Sequence, residues 1–121
     1  MTVYAPPSDD VAQLVALLSE EATLRLLEKR GGTRVYLSDP EERRTISELV
    51  GIDGAGKLNA AYGRTQIKVP LGRTWRVLCY RAQGMSYRET ALKAGCTEGT
   101  VWDILRRHGQ TQTQLDLFKT A

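Results

Sequence analysis

The stretch 86–107, SYRETALKAGCTEGTVWDILRR, carries the pattern that decides the fold of this chain. Ser86 and Glu89 have the spacing of a capping box, which predicts that a helix begins at this point. Ala91 is small enough to let a second helix come close, and Gly95 tolerates the positive φ that a tight turn between helices needs. The stretch therefore predicts two short helices that cross next to Gly95.

The residues around this turn extend the pattern to three helices over 73–107. Cys96 is predicted to tuck inward, and Thr97 is predicted to cap the last helix. Apolar residues at helical spacing predict the inner faces of the two outer helices. They are Trp75, Leu78, Cys79 and Ala82 in the first helix, and Val101, Ile104 and Leu105 in the last. We interpret the three helices as a helix-turn-helix domain; the alternative is a three-helix core that does not bind nucleic acid.

In a helix-turn-helix, the second motif helix lies in the major groove, so its outward residues are candidates for contacts with phosphates or base edges. These candidates are Thr97, Glu98, Thr100, Trp102, Asp103, Arg106 and Arg107. An arginine can read guanine bidentately, an acidic side chain can accept from cytosine, and Thr97 at a helix N-terminus can hold a phosphate. Arg73, Arg76 and Arg88 are predicted to contact the DNA backbone, and a solvated surface charge is the alternative for each arginine.

The net charge of +3 is unevenly distributed along the 121 residues. Residues 73–108 contain seven Lys and Arg against three Asp and Glu, whereas residues 1–72 contain nine against ten. A basic segment that follows a near-neutral one is typical of a DNA-reading module joined to an assembly module. The chain is therefore expected to have a dimerisation domain at 1–72, a helix-turn-helix domain at 73–108 and a flexible tail at 109–121.

The first of these parts contains an internal repeat with an offset of 32 residues, which aligns 14–37 with 46–69. Four aligned pairs are identical: Leu17 with Leu49, Leu26 with Leu58, Gly31 with Gly63 and Thr33 with Thr65. Both copies predict the order helix, helix, strand, and Gly51 separates the two helices of the second copy. The expected fold class is therefore mainly α with one or two short β-strands.

Two short strands and four short helices expose more apolar surface than they can bury alone, because an isolated two-stranded ribbon is marginally stable. A partner subunit would cover this surface, so the sequence predicts a homodimer. The alternative is a self-contained small α+β domain.

The string GGTRVYL at 31–37, its echo at 63–70 and the helix-turn-helix together resemble the Mor transcription-activator family of Mu-like phages. The resemblance implies an intertwined homodimer whose two helix-turn-helix units reach adjacent major grooves of a phage promoter, where it recruits bacterial RNA polymerase. It also places Thr65, Gln66, Lys68 and Gly72 near the DNA between the half-sites. The chain departs from the family pattern at Arg64, which replaces the second Gly of the string, and at 38–40, which separates the first strand from its Pro.

The tail contains a second recognisable string. Gln114, Leu115, Asp116, Leu117 and Phe118 resemble the short peptide by which many bacterial DNA-handling proteins dock on the replication sliding clamp. Apolar anchors behind a polar Gln suit insertion of a flexible peptide into a preformed pocket. The alternative is that these side chains fold back on the core or pack on a dimer partner.

The sequence does not predict an enzyme. The single His, His108, has no Cys or acid pair at a spacing that would assemble a triad, and the glycine-dense stretch 51–56 lacks the ending of a P-loop. Cys79 and Cys96 are not spaced as zinc ligands, so neither a metal nor a cofactor is expected. No apolar run approaches the roughly 20 residues of a membrane helix, so a cytoplasmic, nucleoid-associated protein of a bacterial host is expected.

The leading hypothesis is a dimeric, sequence-specific DNA-binding regulator of transcription, with an activator of phage or prophage origin as its most specific form. The first alternative is an interaction or inhibitor protein that binds the sliding clamp through 114–118. The second is an enzyme that acts on nucleic acid, which would have to show metal-dependent cleavage.

Overall fold

The computed structural model describes residues 9–63 and 66–109, which divide between Gly72 and Arg73 into two compact units. The N-terminal unit contains α1 (Asp9–Leu17), α2 (Glu20–Arg30), β1 (Arg34–Tyr36), α3 (Pro40–Tyr62) and β2 (Gln66–Lys68). The C-terminal unit contains α4 (Arg73–Ala82), α5 (Tyr87–Ala94) and α6 (Glu98–Ile104), which continues into a π-helical turn at Leu105–Gly109. The predicted fold class, mainly α with short strands, is confirmed.

Helix α3 is two helices joined at a kink. Gly51 has a φ of 84° and a ψ of 163°, which is outside the helical region and is adopted almost only by glycine. The helical residues on its two sides are 40–50 and 52–62. The prediction that one helix ends at Gly51 and another follows it is therefore confirmed.

The internal repeat is visible in the elements themselves. An offset of 32 residues maps α1 onto 41–49, α2 onto 52–62 and β1 onto β2. Ser19, which caps α2 by accepting from the N–H of Ala22, has Gly51 as its counterpart. The helix ends match as well, since the N–H of Gly31 donates to the Leu27 carbonyl and the N–H of Gly63 donates to the Asn59 carbonyl. The N-terminal unit is thus built from two copies of one helix-helix-strand element.

The two strands pair with each other, and the pairing relates the two copies by a local two-fold axis. They are antiparallel, with Val35 opposite Ile67, Arg34 opposite Lys68 and Tyr36 opposite Gln66. Exchanging the copies converts the Arg34 pair into the Tyr36 pair and leaves the pair of Val35 and Ile67 in place. Val35 and Ile67 are 1% and 5% exposed, so each strand covers the apolar side chain of the other within one chain.

Side chains from both copies form the core of this unit. Leu14, Leu26, Ile46 and Leu58 are each no more than 2% exposed, and α2 packs on α3. Polar contacts connect the same helices, because Arg25 Nε donates to the Leu49 carbonyl at 2.7 Å. Together with the strand pair, this packing gives the unit a core of its own. None of the helices described in 9–63 and 66–109 has the length and apolar content to cross a membrane.

Candidate nucleic-acid interface

Helices α4, α5 and α6 pack on one another around a small apolar core. Trp75, Leu78 and Cys79 of α4 are buried as predicted, and so are Val101, Ile104 and Leu105 at the end of the unit. The prediction for Ala82 is wrong, because this residue is the last of α4 and is exposed before the turn at Gly84. Conversely, Val77 and Tyr80 are fully buried, because α5, α6 and the π-helical turn contact α4 on more than one side.

The turn between α5 and α6 has the local chemistry that the sequence predicts. The capping box is present, with the N–H of Glu89 donating to Ser86 Oγ at 3.1 Å and the N–H of Ser86 donating to Glu89 Oε1 at 3.4 Å. Gly95 adopts the left-handed conformation with a φ of 73°. The N–H of Cys96 donates to the Ala91 carbonyl at 3.0 Å, as in a helix C-terminus closed by glycine.

Thr97 begins α6 by accepting from the N–H of Thr100 at 3.1 Å, and the two hydroxyl oxygens lie 3.0 Å apart. The helices α5 and α6 are therefore joined by only three residues, 95–97. Cys96 is half-buried rather than fully tucked inward. The helix-turn-helix arrangement is present in the plain geometric sense of two packed helices joined by a short glycine turn.

Arg76 lies in a different environment from the one the sequence suggests. Its side chain is 8% exposed, its Nε donates to the Tyr80 hydroxyl at 3.2 Å, and its Nη2 donates to the Lys93 carbonyl at 3.0 Å. The guanidinium thus ties α4 to the last turn of α5, where carbonyl groups lack helical partners. We assign Arg76 to the support of the turn and leave it out of the candidate interface.

Arg73 shares part of this role, and Arg88 does not. The Nε of Arg73 lies 3.4 Å from the Ala94 carbonyl at the end of α5, although most of the side chain is exposed. Arg88 is exposed on α5, and its side chain makes no hydrogen bond or ion pair within residues 9–63 and 66–109. Leu92, four residues later on the same face of α5, is 75% exposed. The sequence analysis missed Leu92, which its spacing from Arg88 could have identified.

The outward face of α6 and its continuation carries the remaining candidates. Except for Thr100, which is half-buried, all are exposed: Thr97, Glu98, Trp102, Asp103, Arg106 and Arg107. Trp102 is 51% exposed, which is unusual for so large an apolar side chain and marks a contact surface. Arg106 forms an exposed ion pair with Asp103 at 3.2 Å. Within the described part of the chain, Arg107 has no such partner.

The N-terminal unit has a second candidate surface, the outer face of the two-stranded ribbon. Arg34, Tyr36, Gln66 and Lys68 are all exposed there, and Arg34 lies directly opposite Lys68. Like charges placed opposite each other destabilise a sheet, so this face is better suited to an anionic partner than to stability.

The other positions that the family resemblance implies have different outcomes. Thr65 lies outside the described residues. Gly72 is half-buried, and a Cβ at this position would lie 2.6 Å from Leu27 Cδ1, so packing explains the glycine. The predicted clamp-binding residues 114–118 also lie outside the described residues, and the clamp hypothesis stays a prediction of the sequence.

Metal and family comparisons complete the description of the site. Among residues 9–63 and 66–109, no three His, Cys, Asp or Glu side chains come together in a group that could hold a metal ion. No protein-family model, curated protein or solved structure matches this chain, so the resemblance to the Mor family stays a prediction.

Proposed function

We propose that this protein binds double-stranded DNA sequence-specifically through α6 and regulates transcription, as an activator that recruits bacterial RNA polymerase. The observation that supports the proposal best is the combination of a capped three-residue turn with an outward α6 face. That face presents an exposed Trp102 and an unpaired Arg107. A short helix held in this way, with base-reading side chains on its outer face, is the element that helix-turn-helix proteins insert into the major groove.

The side chains divide into two groups by the contacts that they can make. Arg107 is the candidate for bidentate recognition of guanine, and Trp102 can contact the methyl group of thymine. Asp103 holds Arg106 at 3.2 Å, so Arg106 is the candidate for a phosphate contact whose orientation is already set. Arg88 on α5 is a further phosphate candidate, because its charge is exposed and unpaired.

The ribbon face supports the same proposal from the other unit. We assign Gln66 and Lys68, together with Arg34 opposite Lys68, to contacts with the DNA backbone. Their charge would strengthen binding to all sequences and make it sensitive to salt, because phosphate contacts release counterions.

The proposal is tested by selecting bound sequences from random duplex DNA and measuring the affinity of the best duplex over a series of salt concentrations. Replacing Arg107 in the variant Arg107→Gln should weaken binding to the selected duplex by about 5–150-fold, the range for loss of a bidentate base contact. Replacing the ribbon lysine in Lys68→Gln should weaken binding to selected and random duplexes alike and lower the salt slope by about one.

The matched control is Arg44→Gln, which removes an exposed arginine from α3, outside both surfaces. It should leave the affinity of the selected duplex unchanged, and the unfolding curves of all three variants should match that of the unchanged protein. A protein that ignores every duplex at low ionic strength would contradict the proposal.

A further inference from the structure

A polar cleft lies in the second copy of the helix-helix-strand element. It has a volume of about 410 Å³ and is lined by Leu37, Ser38, Arg43, Asn59 and Gly63. Clefts of this size are typical of sites for small ligands.

The repeat explains where this cleft comes from. With the offset of 32 residues, its five lining residues correspond to Val69, Pro70, Val11, Leu27 and Gly31. In the first copy these residues leave little space. The carbonyl oxygen of Pro70 is 3.3 Å from the position that a Cβ on Gly31 would take, and Gly72 packs against Leu27 and Val11. The chain that follows β2 therefore fills the corresponding groove.

The second copy has changed the two residues that make this groove apolar. Val11 and Leu27 are each 1% exposed, whereas their counterparts Arg43 and Asn59 are exposed. At the counterpart of Gly72 the chain has Pro40, which begins α3. A groove that is apolar and filled in one copy is thus polar and open in the other.

Arg43 gives this cleft a fixed positive charge. Its Nε donates to the Leu37 carbonyl at 3.0 Å, which anchors the guanidinium at the wall of the cleft. The nearby carboxylates are engaged elsewhere: Glu42 pairs with Arg30 at 3.1 Å, and Asp39 accepts the N–H that begins α3. Within residues 9–63 and 66–109, Arg43 has no carboxylate partner. Its remaining N–H groups are therefore available to an anion.

We propose that this cleft binds a small oxyanion, a phosphate or carboxylate group of a free ligand. The guanidinium of Arg43 supplies the charge, and the Asn59 amide and Ser38 hydroxyl supply further hydrogen bonds. The concave shape favours a small ligand over a DNA backbone, which requires surfaces that reach outward. The proposal is independent of the DNA-binding function.

The test uses ¹H–¹⁵N NMR spectra of the full chain during titration with inorganic phosphate and, in a second series, with acetate, at constant ionic strength. We expect a saturable shift of the Gly63 and Asn59 amides and of the Arg43 Nε–H signal. Saturation by phosphate alone supports a phosphate-bearing ligand, and saturation by acetate supports a carboxylate. The same titration of Arg43→Gln should show affinity lowered by about tenfold or more, because a charge-assisted pair is lost.

Two further variants keep the test decisive. Arg44→Gln removes the neighbouring exposed arginine, which is not among the lining residues, and should bind phosphate like the unchanged protein. The double variant Arg43→Val with Asn59→Leu copies the residues of the first copy, so it should stay folded and lose the saturable shift. Shifts that do not saturate, or that are equal in Arg43→Gln, would overturn the proposal. So would a duplex DNA that displaces phosphate from the same amides, since the cleft would then belong to a DNA interface.

Discussion

At the scale of single residues, the sequence identifies which arginines are present but not what surrounds them. Arg76 and Arg88 were assigned the same role, yet Arg76 is 8% exposed and Arg88 is exposed. The difference arises because several elements cover α4, so a position off its apolar stripe is still buried. A pattern that assumes one buried face per helix cannot identify such a position.

This assignment predicts that Arg76→Met will destabilise the protein. The change keeps most of the apolar stem but removes the donors to the Tyr80 hydroxyl and the Lys93 carbonyl. Loss of such buried hydrogen bonds costs about 1–3 kcal/mol. Urea unfolding should therefore show a lower midpoint with an unchanged slope.

Arg88→Met is the matched control, because it removes an exposed arginine from the neighbouring helix. Its free energy of unfolding should stay within about 0.5 kcal/mol of the unchanged value. Equal stability of both variants would mean that the Arg76 guanidinium does not hold the turn.

At the scale of elements, the helix ends are predictable because their chemistry is local. Ser86, Gly95 and Thr97 act on backbone groups within four residues, and each has the predicted role. The π-helical turn at Leu105–Gly109 was not predicted, and neither was the half-burial of Cys96. Both depend on how neighbouring helices pack, which spacing along one segment does not contain.

Two glycines of this motif should respond to alanine in opposite directions. Gly95 has a φ of 73° with no atom within 4 Å of an added Cβ, so only the backbone opposes a side chain. Gly95→Ala should therefore cost about 1–2 kcal/mol. Gly99 is helical, and an added Cβ would meet only Thr97 Oγ1 at 3.7 Å, so Gly99→Ala should add about 0.4–1 kcal/mol.

Thermal and urea unfolding of these two variants measure the difference directly. If Gly95→Ala were as stable as the unchanged protein, the left-handed turn between α5 and α6 would not be the conformation in solution.

At the scale of the whole molecule, the sequence predicts the repeat but not the partner of each strand. Identical residues such as Leu26 and Leu58 reveal two copies of one element. The alternation around Val35 shows a strand with one buried face, which a strand of another subunit would satisfy equally well. The structure pairs Val35 with Ile67 of the same chain, so the apolar surface that predicted a partner subunit is covered internally.

The internal two-fold pair has a consequence for DNA binding. A symmetric dimer brings one surface patch against its own copy, and here both copies of the strand belong to one chain. We therefore expect the chain to act as a monomer with one helix-turn-helix, although the sequence alone predicts a homodimer. A single reading helix recognises a single half-site, so the sequence selected from random DNA should lack an inverted repeat.

Light scattering after size-exclusion chromatography should then give the 13.5 kDa mass of one chain for the free protein, and one chain per selected duplex for the complex. The measurement belongs at protein concentrations that saturate the duplex, because a weak dimer would dissociate on dilution. A dimeric mass together with a palindromic site would contradict the monomer and leave the DNA-binding function intact. Since β1 of one chain could also pair with β2 of another, that result would point to exchange of the repeats between chains, which shortening the 37–39 connection should then promote.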